Sequence, residues 1–185
     1  SWQTYVLHAS LINAVVTIAT FLVLINFKLN IYHSFFYALV FSALAYPISG
    51  TSFVDHHSSF FSLLGIYSLI LGIKTEERKY WILLPIFFIF AFLSKQTPSS
   101  YIIISSIFVL LLYTIIKRKF FWIKYSLISS ILIVITILIF GKTQSVNFYS
   151  FLEQYIYFPQ SIGSERFNNF NFTFSSVVGH FKFIY

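Results

Sequence analysis

Two short polar clusters interrupt long apolar runs: Asp55-His56-His57 and Lys95-Gln96-Thr97-Pro98. A carboxylate and two imidazoles in a row offer ligands for a hard or borderline divalent ion. They equally suit hydrogen bonding to a sugar hydroxyl or an acceptor. A bland role is also open to Asp55, which stands where a helix begins and can cap it. Lys95 carries a compact ammonium suited to a phosphate or pyrophosphate. Its bland role is an anchor that reaches from a helix end to the membrane surface.

Other candidates are scattered. Arg166, beside Glu165 and Gly163, can grip a second set of phosphate oxygens through a bidentate fork or simply be solvated in a loop. His180 is a further possible ligand, so Asp55, His56 and His180 are the metal candidates, and a divalent metal is the one possible cofactor. His8 and His33 read as interfacial residues, and Glu153-Gln154 as solvated.

The elements that must position these groups are nearly pure hydrocarbon. Of 185 residues, 58% are hydrophobic and 9% charged, against roughly 25% charged in a soluble domain. A fold of this size cannot hide so much apolar surface from water, so the solvent must be lipid. A net charge of +7 is confined to short clusters between apolar runs, which excludes a nucleic-acid stripe and fits loop charges that orient a membrane protein. With no cysteine, neither a disulfide nor a thiolate metal site can form.

A spanning helix needs about 20 apolar residues. Six runs qualify or come near: Tyr5–Phe27, His33–Ile48, Ser58–Ile73, Tyr80–Leu93, Tyr101–Ile116 and Trp122–Phe140. The expected fold is an all-α polytopic bundle over residues 1–141, followed by an external, partly helical tail over 142–185. Within the tail, Ser150–Phe158 reads as an interfacial amphipathic helix that Pro159 and Gly163 then break. The missing initiator Met and the apolar ending read as an internal piece of a longer protein.

Lys28, Lys74, Arg78, Lys79, Lys117, Arg118, Lys119 and Lys124 fall in alternate connections. Those connections should be cytoplasmic. The Asp55 and Lys95 segments and the tail then share the outer face, although the two clusters lie forty residues apart.

The stretch from Tyr46-Pro47 through Asp55-His56-His57-Ser58-Ser59-Phe60-Phe61, with Phe90-Ala91-Phe92-Leu93-Ser94-Lys95-Gln96-Thr97-Pro98 about forty residues on, resembles the GT-C superfamily of membrane glycosyltransferases. That group contains the protein O-mannosyltransferases and the lipid A aminoarabinose transferase. The first stretch is similar to the family's acidic residue that opens a helix after an external loop. The second is similar to its helix end of leucine, threonine or serine, lysine, glycine, proline, with Gln96-Thr97 standing where many members have glycine. The likeness covers most of the chain, as helices two to seven of the family core.

The resemblance implies transfer of a sugar from a polyprenyl-phosphate carrier to a glycan, lipid or protein acceptor. It places the protein in a bacterial inner membrane with the site facing the periplasm. Asp55 and His56 would be catalytic, and Lys95, Gln96, His57 and Arg166 would bind substrate. The family's main catalytic carboxylate lies upstream of this chain, so this piece alone would be inactive. Two other classes remain open: a transporter or flippase with Asp55 and Lys95 lining a path, and a membrane metal hydrolase built on Asp-His-His.

Overall fold

A computed structural model describes residues 2–46 and 53–161. The described residues are almost wholly helical and contain no strand. Six long helices come in order: α1 Trp2–Asn26, α2 Ile31–Ala45, α3 Val54–Thr75, α4 Arg78–Ser94, α5 Gln96–Lys117 and α6 Phe121–Thr143. They fall on the six apolar runs, but α1, α3 and α5 start three to five residues earlier. Four of them, α1, α3, α5 and α6, are long and apolar enough to cross a membrane. At 15 and 17 residues, α2 and α4 are shorter. By helical rise α2 reaches only ~22 Å, against a ~30 Å hydrocarbon layer.

The chain divides into two compact units, with the boundary between Val134 and Ile135, inside α6. In the first unit α3 is central. Its small residues Ser58, Ser62, Gly65 and Gly72 are spaced along one face, which lets α4 approach closely. A Cβ on Gly65 would stand 2.3 Å from Phe88 Cε1, and one on Gly72 would stand 3.1 Å from the Trp81 ring. Trp81 is fully buried. Its ring lies 6.1 Å from Tyr113, 6.0 Å from Phe121 and 6.2 Å from Trp122, centroid to centroid. A second core joins α1 to α3 through Val16, Phe60 and Leu64.

Pro85 sits inside α4. Having no N–H, it cannot bond the carbonyl four residues back, which is that of Trp81. In an apolar medium the orphaned carbonyl needs another donor. Ser126 of α6 supplies it at 3.1 Å, and Ser129 donates to the neighbouring Ile82 carbonyl at 2.7 Å. These bonds fix the depth and rotation of α6 against α4.

The second unit carries α7, Phe148–Leu152, which continues as a wider-wound turn over Glu153–Tyr157. Residues 158–161 are helical again. Pro159 therefore does not end this helix, contrary to the expectation from its sequence. In the widened turn the Phe158 N–H bonds the Glu153 carbonyl, five residues back. The ring and missing N–H of Pro159 follow a ladder already shifted out of the α register.

Candidate functional site

The ends of the helices fall into two groups. At one end His8 of α1 meets His57 of α3, and Lys95 meets Asp55. At the other end Lys74 of α3 donates to the Asn26 carbonyl that closes α1, and its ammonium lies 3.8 Å from the Phe27 ring centre. Thus α1 and α3 run parallel.

Asp55 is in the first turn of α3, not in a preceding loop, because α3 begins at Val54. The N-cap is Phe53, and no side chain caps the helix. Asp55 gains from the positive end of the helix dipole without bonding a backbone N–H there. Its carboxylate forms an ion pair with Lys95, with the two side chains 59% and 44% exposed. An exposed pair of this kind contributes little to stability, of order 0–1 kcal/mol. It can therefore be exchanged for another partner at small cost.

Lys95 lies in a short break between α4 and α5 in which Thr97 is also non-helical, at φ −106°. It is at once the last cap of α4 and the first cap of α5, in extended conformation at φ −158°. Its N–H bonds the Ala91 carbonyl at 3.0 Å. Its own carbonyl accepts from Ser58 of α3 at 3.2 Å and from Ser99 of α5. The Gln96 carbonyl accepts from Ser99 at 3.0 Å and Ser100 at 2.7 Å. Three helices thereby hold the Lys95 backbone while its ammonium projects outward.

Asp55, His56 and His57 point to different partners. His56 turns its ring toward Phe53 and Phe60, with centroids 6.3 and 6.5 Å away. Its Nδ1 is buried and has no hydrogen-bond partner among the described residues. His57 bonds the Phe53 carbonyl through Nδ1 at 2.8 Å and His8 through Nε2 at 2.7 Å. Among the described residues no three His, Asp or Glu side chains come together as a metal site. Arg166 and His180 lie outside the described residues.

His8 is the site residue that sequence reasoning missed, being taken for an interfacial side chain. Its role becomes visible only once α1 and α3 are known to lie parallel. The offsets of 49 between His8 and His57, 47 between Thr20 and Tyr67, and 48 between Asn26 and Lys74 then express one register.

An apolar cavity of about 650 Å³ opens between α4, α5 and α6, reaching from Phe92 and Leu93 to Leu110 and Trp122. At the opposite end Glu76 takes both its oxygens to Lys119, at 2.6 and 2.5 Å, and also accepts from Tyr113 at 3.4 Å. The Lys119 hydrogen bond holds the Glu76 carboxyl below the ordinary carboxylate range, and the same bond raises the Lys119 ammonium.

Among the described residues these features define an all-helical fold with four helices of membrane-spanning length and a polar, ion-paired mouth at one end. No protein-family model, curated protein or solved structure matches the chain.

Proposed function

We propose that the chain is the core of a GT-C-like membrane glycosyltransferase that takes a sugar from a polyprenyl-phosphate donor. In this reading all six long helices cross the bilayer, with flanking aromatic and basic residues making up the length of α2 and α4. The Asp55 mouth faces away from the cytoplasm, in a bacterial inner membrane. The single observation that carries the proposal is the meeting of Asp55 and Lys95 across forty residues of sequence.

A lipid-phosphate donor cannot leave the bilayer, so its phosphate must be handled at a helix end. Lys95, fixed by its backbone and paired through its ammonium with an exposed carboxylate, would exchange Asp55 for the phosphate and stabilise the charge that grows on it as the sugar departs. Asp55, released, would orient the acceptor or sugar. His56 Nδ1, without a partner among the described residues, suits a sugar hydroxyl. Gln96 and Arg166 would add substrate contacts, whereas His57, with both nitrogens engaged, would position the mouth. The apolar cavity between α4, α5 and α6 suits the donor's hydrocarbon chain.

The test is transfer of radiolabelled sugar from a short synthetic polyprenyl-phosphate donor by membranes containing the full-length protein, with the segment upstream of this chain included. Transfer that falls with Lys95→Ala supports the reading. Lipid-linked sugar that crosses the bilayer unaltered, with no transfer, would make the protein a flippase instead.

A further inference from the structure

Along α6 the apolar cavity runs from Trp122, the second residue of that helix, to Val134. That is about 18 Å of helical rise, close to one leaflet of a ~30 Å hydrocarbon layer. Its wall offers hydrocarbon alone. Three hydroxyls line it, and each has given its hydrogen to a carbonyl: Ser106 to Ile102 at 2.7 Å, Ser126 to Trp81 at 3.1 Å and Ser130 to Ser126 at 2.8 Å. A polar ligand finds no donor there, whereas a hydrocarbon chain leaves no polar group unsatisfied.

The Trp122 end of the cavity has a cationic rim, and each walling helix supplies one residue to it. Arg78 opens α4 seven residues before Pro85, and Lys117 closes α5 seven residues after Leu110. Seven residues are close to two helical turns, so each lies on the face that walls the cavity. Lys124 of α6 is exposed and stands between Ile123 and Leu127, both in the wall. The Arg78 guanidinium lies 5.5 Å from the Tyr125 ring centre. It thus reaches from α4 to α6 and keeps its edge for a bidentate contact. The carboxylates at this end do not neutralise the rim, because Glu76 is paired with Lys119 and Glu77 with Lys79. Arg78, Lys117, Arg118 and Lys124 remain as a positive surplus.

We propose that the cavity and its rim form a binding site for an anionic phospholipid of the adjoining leaflet. Arg78, Lys117 and Lys124 hold the phosphate, and one acyl chain lies between α4, α5 and α6. Charge selects the headgroup, as in other basic pockets between helices at a membrane face, and the cavity takes the chain. The site opens at the end opposite Lys95. It needs no sugar chemistry, and in the transfer reading this lipid is the resident that the donor's chain displaces.

The probe is phosphatidylglycerol with a photoreactive diazirine in one acyl chain, added without donor to the full-length protein in mixed micelles. Peptides that wall the cavity, carrying Phe88, Ile107 and Leu127, should take most of the label. Unlabelled phosphatidylglycerol should compete about fivefold better than zwitterionic phosphatidylcholine, and Arg78→Gln and Lys117→Gln should each lower labelling about fivefold. Label spread evenly over the exposed apolar faces of α1 and α2 would overturn the site. So would equal competition by the two lipids, or undiminished labelling of both variants. The lipid comparison uses wild type alone, so it decides the matter even if a variant folds poorly.

Discussion

Ser126 on α6 donates to the Trp81 carbonyl, the one that Pro85 leaves without its helical donor. Removing the hydroxyl should orphan a buried acceptor. Ser126→Ala is expected to destabilise the protein by about 0.6 kcal/mol, with an upper bound of ~1.7, as for hydrogen bonds between membrane helices. In a Pro85→Ala background the helical N–H returns and the same substitution should cost little. Equal costs in both backgrounds, measured by reversible denaturation in mixed micelles, would show that the bond is not a repair of the proline gap.

Gly65 should tolerate no side chain while Phe88 is in place. A methyl group there would start 2.3 Å from the Phe88 ring, against 3.1 Å for Gly72 and Trp81. Gly65→Ala is expected to cost ~1–3 kcal/mol as overpacking, and Gly72→Ala less. Phe88→Leu should recover part of the Gly65→Ala loss. Denaturation midpoints of the four proteins provide the check.

The six helices and the shared face of Asp55 and Lys95 were legible because these helices are written as uninterrupted apolar runs, and because helices joined by short connections alternate in direction. The helix starts were less legible. Asp55-His56-His57 is polar enough to read as loop, yet polar residues are stable in a first turn that emerges from the apolar layer. The Lys95 segment also reads as loop, and the structure shortens it to a break in which Lys95 and Thr97 are non-helical. What could not be read was pairing between distant helices. Nothing local ties His8 to His57, or Ser126 to Pro85, since each contact depends on register and rotation. Pro159 misled for a related reason, as a widened turn upstream is invisible in composition.

The Glu76–Lys119 pair predicts a pH signature at the opposite end. Glu76 is depressed by its bond to Lys119. Its contribution is therefore present above the unfolded carboxylate range, near pH ~4.3, and is lost as pH falls through the lower folded value. Lys119 is raised, so its contribution is present below ~10.4 and is lost as pH rises through the higher folded value. The Tm difference between wild type and Glu76→Gln should be flat from about pH 5 to 10 and shrink outside that window. Both groups are exposed, so the difference should be small and should fall with added salt. A difference that grows on acidification would reverse the assignment.

Topology is open to direct labelling, since the chain has no cysteine of its own. Phe53→Cys and Arg118→Cys place single thiols near the two opposite ends of the bundle. In intact cells an impermeant maleimide should modify the first and not the second. Modification of Arg118→Cys alone would invert the orientation, and modification of both would mean that the six-span arrangement fails.

Lys95 and Asp55 are partners in the structure, and this makes their substitutions diverge. If Lys95 receives the donor phosphate, Lys95→Ala removes a charge-assisted bond of roughly 1.5–3 kcal/mol. In the full-length protein, transfer at subsaturating donor should fall about ten- to a hundredfold if that bond strengthens in the transition state. Lys95→Arg should retain part of the rate, because the charge persists while its geometry changes. Asp55→Asn should behave differently in binding. It frees the ammonium from its carboxylate, so a photoreactive polyprenyl phosphate should label this variant at least as strongly as wild type, while sugar transfer falls with loss of the carboxylate. The two readouts separate phosphate capture from the later chemistry. Lys95→Ala that binds and transfers at wild-type rates would leave Lys95 as a surface anchor whose pairing with Asp55 merely ties α3 to the α4–α5 junction.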